Sequence, residues 1–328
     1  PLSFHLLYLF KRNKIMTKLA KLLNIKYPVI QAPMFLVSNT AMVIEAMKGG
    51  IAGCIPALNY RTNEQFRAAI QEIRANTNPG GLGVNLIVNK SNIKVRQQLK
   101  TCVELGVDFI ITSLGSPKEV IELCKPKGIK VFCDVVEEKY ARKVEELGAD
   151  AVIAVNCNAG GHAGKLKPEE IIPLLNKHCN IPVISAGGIG AKEGIDTIMN
   201  LGAAGLSIGS PFIACEEAHI SKEYKQACVD YGKEDIVFTT KISGTPCTVI
   251  NTPYVQKTGT TQNWLEKLMS KNKKIKKWVK MITYFKGMKS VENAAFSSTY
   301  KTVWCAGPSI EHTTEILPIK EIIKRLTT

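Results

Sequence analysis

Long apolar runs are missing from this chain. Nowhere do about eighteen consecutive apolar residues occur, so no helix is expected to cross a membrane. Paired cysteines are missing too. The ten thiols (Cys54, Cys102, Cys124, Cys133, Cys157, Cys179, Cys215, Cys228, Cys247 and Cys305) stand singly, with no Cys-x-x-Cys and no zinc-ligand spacing. That excludes a recognisable metal motif and reads as reduced, mostly buried thiols in a cytosolic protein; Cys157 stands apart because it lies in a glycine-rich loop. No Gly-x-Gly-x-x-Gly turn follows the first apolar run, which ends instead in Gln31-Ala32-Pro33-Met34, and this weighs against a doubly wound dinucleotide-binding sheet. Histidine is scarce, with five residues, so the setting of each is informative.

What is present describes a globular protein. Hydrophobic residues make up 45% and charged residues 22%, with glycine and proline near ordinary usage, which excludes a disordered or fibrous chain. A length of 328 residues allows one large α/β barrel or two ordinary domains. The net charge of +15 is uneven: residues 236–328 hold 15 Lys and Arg against 5 Asp and Glu. Its centre, Lys267 to Lys289, carries nine lysines and no acid. Nucleic-acid binding is one reading of that stretch, but arginine and a recognised binding motif are both missing, and a solvated helical face or a funnel for anionic substrates accounts for the same residues. Residues 1–15 place their apolar part before their basic part, the reverse of a secretory signal, and read as a non-native or disordered extension ahead of Met16.

From residue 28 onward, short β-branched runs alternate with longer amphipathic stretches, the pattern of β-α units around a parallel sheet. Eight strands are predicted: Val29–Met34, Ile51–Leu58, Leu82–Ile87, Asp108–Leu114, Lys130–Val135, Ala151–Asn156, Pro182–Ala186 and Gly205–Ile208. The intervening helices start at capping or acidic residues and stop at Gly49-Gly50, Gly106, Gly128, Gly148 and Gly202. Eight units in about 200 residues fit a closed (β/α)8 TIM barrel. Residues 16–235 with 301–328 are assigned to this barrel. Residues 236–300, where Trp264, Leu268, Ile275, Trp278 and Phe285 recur at helical spacing, are assigned to a lysine-rich helical appendage over the barrel mouth.

In such a barrel the working groups lie just after the strands. Ser185-Ala186-Gly187-Gly188 follows strand seven and Ser207-Ile208-Gly209-Ser210 follows strand eight. Glycines there let backbone N–H groups approach phosphate oxygens, although tight β-α turns also need glycine for geometry alone. After strand six, Asn158-Ala159-Gly160-Gly161-His162-Ala163-Gly164 sets one histidine among three glycines, a loop that can pass close under a flat ligand while the imidazole projects into the cavity.

At these residues the chain resembles the nitronate monooxygenases. Gln-Ala-Pro-Met at 31–34, Gly-Val-Asn-Leu at 83–86, Ala-Gly-Gly-His-Ala-Gly at 159–164, Ala-Gly-Gly-Ile at 186–189 and Ile-Gly-Ser-Pro-Phe at 208–212 have that family's order and spacing. The flavin-dependent enoyl-acyl-carrier-protein reductases share most of these motifs. The resemblance implies FMN as cofactor, with Ala32, Pro33 and Met34 along its ring, Asn85 at the ring's polar edge, and Gly160 beneath it. Ala186, Gly187, Gly188, Gly209 and Ser210 would surround its phosphate, and no metal is implied. His162 matches the family's active-site histidine. The implied reaction is oxidation of an alkyl nitronate or nitroalkane with O2; the alternatives are NAD(P)H-dependent reduction of an enoyl thioester or quinone, and a non-catalytic basic binding protein. Oligomers are possible.

The chain also departs from that pattern. Val155-Asn156 replaces the usual Gln or Glu followed by Gly, Asn158 replaces an acid, and Ser210-Pro211 replaces Thr-Arg. The last change removes a cation near the phosphate, for which Lys192 is the expected substitute.

Overall fold

A computed structural model describes residues 17–240, 246–261 and 303–328. Eight parallel strands close into a barrel: β1 (Val29–Gln31), β2 (Ala52–Pro56), β3 (Leu82–Ile87), β4 (Phe109–Ser113), β5 (Lys130–Val135), β6 (Ala151–Val155), β8 (Val183–Ala186) and β9 (Gly205–Ile208). The ring closes between its first and last members, with Ile30 opposite Ser207. It is the TIM-barrel architecture expected from the sequence. β1 is shorter than predicted because the chain leaves the ladder at Ala32-Pro33, where proline has no N–H to donate.

Alternation along the strands separates two cores. Ile30, Cys54, Phe109, Ile111, Phe132, Ile153 and Ile184 fill the barrel interior, where the Phe109 and Phe132 rings stack at 5.2 Å between centroids. Their neighbours Val84, Leu86, Ile110, Val131, Cys133 and Val135 point outward under the helices. The end of the barrel where the strands begin is closed by α1 (Lys18–Leu23), whose Leu19 lies so close to Gly205 that a Cβ there would stand 2.2 Å from Leu19 Cδ2. With that end filled, the opposite rim is where a cavity can form.

The helices follow from local signals. α2 (Asn63–Asn76) opens on a Thr62–Gln65 capping box, and α3 (Val95–Leu105) stops at Gly106, whose left-handed φ of 63° lets its N–H return to Cys102 O. The amphipathic α4 (Ile319–Thr327) buries Ile319, Ile322, Ile323 and Leu326.

Beyond the eighth strand the structure differs from the helical expectation. The described part of 236–300 opens with strands β10 (Ile236–Thr239) and β11 (Cys247–Ile250), followed by the six-residue helix Pro253–Thr258. β11 pairs antiparallel with β7 (Gly161–His162), so a three-stranded sheet, ordered β10-β11-β7, stands on the barrel rim. The β-branched runs Ile236-Val237 and Thr248-Val249-Ile250 carry that preference. The lysine-rich stretch with its apolar helical spacing, and residues 1–15, lie outside the described residues.

Candidate active site at the barrel mouth

A cavity of about 560 Å3 opens at the carboxyl ends of the strands, a size typical of small-molecule and cofactor sites. Ala32, Pro33 and Met34 line one side of it, and Gly209 lies against Met34, its Cβ position 3.4 Å from the sulfur. Asn85, Gly160, His162, Ala186, Gly187, Gly188 and Ser210 also face this cavity, so the structure brings the expected ring-side, phosphate-side and histidine residues together.

The glycine turns are tightly built. A Cβ on Gly187, at φ 118°, would stand 2.5 Å from both Ala159 N and Asn156 Oδ1. One on Gly160 would stand 2.9 Å from Gly307 N and from Ser210 Oγ. These contacts weld the loop after β6, the turn after β8 and residues 306–307 into one rim. Asn156, fully buried, holds the joint: its Nδ2 donates to Gly187 O at 3.1 Å, while its Oδ1 accepts from Asn158 N at 2.8 Å. The departure from Gln/Glu-Gly at this position thus serves as a tie between two loops. Ser210 Oγ accepts from Gly307 N at 2.9 Å, leaving its own proton for a ligand.

His162 is positioned by the small sheet. Its register partner on β11 is Cys247, and Thr248 Oγ1 donates to Ala159 O at 2.7 Å, pinning the glycine loop beneath the imidazole. Although the imidazole keeps exposed surface at the cavity, the protein atoms crowded around it displace water and push its pKa below its ordinary value, so the neutral form persists to lower pH.

Sequence reasoning missed a carboxylic acid. Asp134 lies on the cavity floor at the end of β5, and Ser113 Oγ donates to its Oδ2 at 2.5 Å. Asn85 Nδ2 in turn donates to Ser113 Oγ at 2.8 Å, which leaves the Asn85 carbonyl oxygen as that side chain's acceptor toward a ligand. Burial pushes the Asp134 carboxyl up to about 6, partly opposed by the Ser113 hydrogen bond. Strand alternation carried the missing signal: Phe132 faces the barrel interior, and Asp134 follows it by two.

One expectation is corrected. Lys192 does not stand in for the missing cation; its Nζ pairs with Asp196 at 3.3 Å, and the described cavity lining contains no Lys or Arg. Cys157, the thiol singled out in the glycine loop, is not part of the lining, whereas Cys247 and Cys305 are. Among the described residues, no group of three or more His, Cys, Asp or Glu could hold a metal ion.

Comparison with known proteins decides the family. The model of the nitronate monooxygenase family matches residues 16–328. The chain belongs to that family.

Among its relatives, a probable nitronate monooxygenase of Staphylococcus saprophyticus is 29% identical over 287 residues, covering 74% of this chain and 81% of that protein. A (3aS,4S,5R,7aS)-5-hydroxy-7a-methyl-1-oxo-octahydro-1H-indene-4-carboxyl-CoA dehydrogenase of Rhodococcus jostii is 28% identical over 243 residues, covering 74% and 68%. Among solved structures, FabK of Thermotoga maritima superposes with a TM-score of 0.83 at 28% identity over 95% of both chains. The nitroalkane oxidase of Streptomyces ansochromogenes shares the fold, with a TM-score of 0.76 at 20% identity over 94% of this chain and 96% of that one. Family membership makes the protein an oxidoreductase. The described residues contain no helix long and apolar enough to cross a membrane.

Proposed function

We propose that this protein is an FMN-dependent nitronate monooxygenase that converts alkyl nitronates and O2 to carbonyl compounds and nitrite. The observation that carries the reading is the meeting, in one cavity, of an apolar slot, two glycine turns and the His162 imidazole. The residues fit a flat ring ending in a phosphate: Ala32, Met34, Ile111, Val155 and Ala186 supply apolar walls, and Gly187, Gly188, Gly209 and Ser210 line the cavity with backbone and small side chains that leave N–H groups within reach of a phosphate. The Asn85 carbonyl oxygen would accept from a ring N–H. Bound FMN would supply the two-electron chemistry between nitronate and oxygen.

The protein's own part is proton handling and placement. A neutral His162 accepts the α-proton of a nitroalkane, or donates its N–H to the oxygens of a nitronate that is already an anion. Asp134 sets a limit, because above about pH 6 its carboxylate repels anions from the floor. Oxygen uptake with ethyl nitronate or propionate 3-nitronate tests the assignment; uptake no greater than that of free FMN, with FMN bound to the protein, would sink it.

A second reading, reduction of an enoyl thioester by NADH or NADPH, is favoured by the likeness to a relative named for a carboxyl-CoA substrate. Anaerobic bleaching of the flavin by NADH but not by nitronate selects it.

A further inference from the structure

Cys247 and Cys305 lie 58 residues apart in sequence, yet their Sγ atoms approach to 3.9 Å in the wall of the cavity. The fold holds the two segments side by side. Ile250 N donates to Trp304 O at 2.9 Å, Tyr224 Oη donates to Cys305 O at 2.6 Å, and the Tyr224 ring stacks on Trp304 at 5.8 Å. Cys247 is also the register partner of His162 across β11 and β7. No other thiol lines the described cavity.

We infer that Cys247 and Cys305 are a redox-active dithiol, opening onto the cavity, which hydroperoxides convert to an intramolecular disulfide. The two sulfurs need close by only about 2 Å to reach bonding distance. Their roles are unequal. Cys305 is partly exposed and Cys247 is buried, so Cys305 is the sulfur a hydroperoxide in the cavity reaches first and attacks from, and Cys247 is the resolving one.

The chemistry balances with a hydroperoxide as oxidant. The Cys305 thiolate attacks the outer peroxide oxygen and the O–O bond breaks. The remaining oxygen takes a proton and leaves as alcohol, or as water from hydrogen peroxide, giving Cys305 sulfenic acid. Cys247 sulfur then attacks Cys305 Sγ, the S–O bond breaks, and the hydroxyl leaves with the second thiol proton as water. Two thiols lose two electrons and two protons in total; one peroxide gains them. The bond ties β11, and with it the strand pair that presents His162, to the 303–307 segment. It also covalently closes the chain excursion between the two cysteines, so peroxide arriving in or leaving the cavity would lock the wall beside the imidazole.

The test is thiol mapping of the full-length protein. Reduced protein is treated with hydrogen peroxide, unfolded in N-ethylmaleimide and digested. The expected result is loss of two alkylations and appearance of one dithiothreitol-reversible cross-linked peptide pair containing Cys247 and Cys305. Phenylarsine oxide, which needs two neighbouring thiols, should bind one per chain and prevent the cross-link. Cys157→Ser should change neither result, whereas Cys305→Ser should abolish both; if that variant does not fold, Cys247→Ser serves, and the arsenical titration needs no variant. Full alkylation of both residues after peroxide, separate oxidation of Cys305 to sulfinic acid without a cross-link, or no arsenical binding overturns the inference.

Discussion

His162 and Asp134 titrate in opposite displaced directions within one cavity, and each displacement has a measurable consequence. Desolvation by the surrounding protein lowers the imidazole pKa, so turnover of a neutral nitroalkane should rise with pH along a limb below the ordinary histidine value of about 6.5. His162→Asn should cut that turnover by about 10²- to 10⁴-fold, the usual worth of a general base, and cost much less with a preformed nitronate. Equal losses with both substrates in steady-state assays would remove the base role. For Asp134 the sign is reversed. Its folded pKa, about 6 against an ordinary 3.8, lies above the unfolded one, so its contribution is fully present below about pH 4 and is lost as pH rises through 6. Asp134→Asn keeps an acceptor for Ser113 and should therefore stabilise the protein at pH 7.5 by on the order of 3 kcal/mol, the gain vanishing near pH 4. Thermal melts at the two pH values read this directly. The same variant should remove any rise in the nitronate KM above pH 6. His162 was legible in the sequence because histidines are few and its glycine setting is distinctive. Asp134 was not, because an acid at a strand end is recognised only once the inward register of Phe132 is known.

Two kinds of element hold the site, glycine turns and the small rim sheet. Gly187→Ala meets Ala159 N and Asn156 Oδ1 at 2.5 Å with φ at 118°, so the turn cannot keep its shape. That variant should lose FMN affinity by at least tenfold in fluorescence titration while the far-UV circular dichroism stays that of a barrel. Unchanged affinity would take the turn out of the phosphate site. Thr248→Val deletes the hydroxyl that donates to Ala159 O, leaving that carbonyl without this donor, and should cost about 1–3 kcal/mol in chemical denaturation. The barrel elements were readable because buried parallel strands are continuous apolar runs and their helices end at glycine: Leu82–Ile87, Lys130–Val135 and Gly205–Ile208 fall where expected. The rim sheet was not readable. β7 has only two residues, Gly161 and His162, and gains its extended form from pairing with β11, a long-range partner that local propensity does not encode.

At the scale of the whole molecule, the barrel fills its own interior from the α1 end and leaves space where the strands finish, which is why the five quoted motifs converge. If the cavity takes FMN by its phosphate, FMN at one hundred times its Kd should add about 2.7 kcal/mol to stability, and riboflavin, lacking the phosphate, distinctly less at equal concentration. Equal shifts in melting temperature would show that the glycine turns hold nothing. The cavity's described lining carries no cation, so the phosphate grip rests on neutral donors and should depend weakly on salt. The most direct test of the function is anaerobic mixing of the FMN-loaded protein with ethyl nitronate, followed by admission of O2. Bleaching of the visible flavin band by nitronate, with recovery and release of nitrite on adding O2, is the expected result; a band that nitronate leaves intact while NADH bleaches it contradicts the assignment.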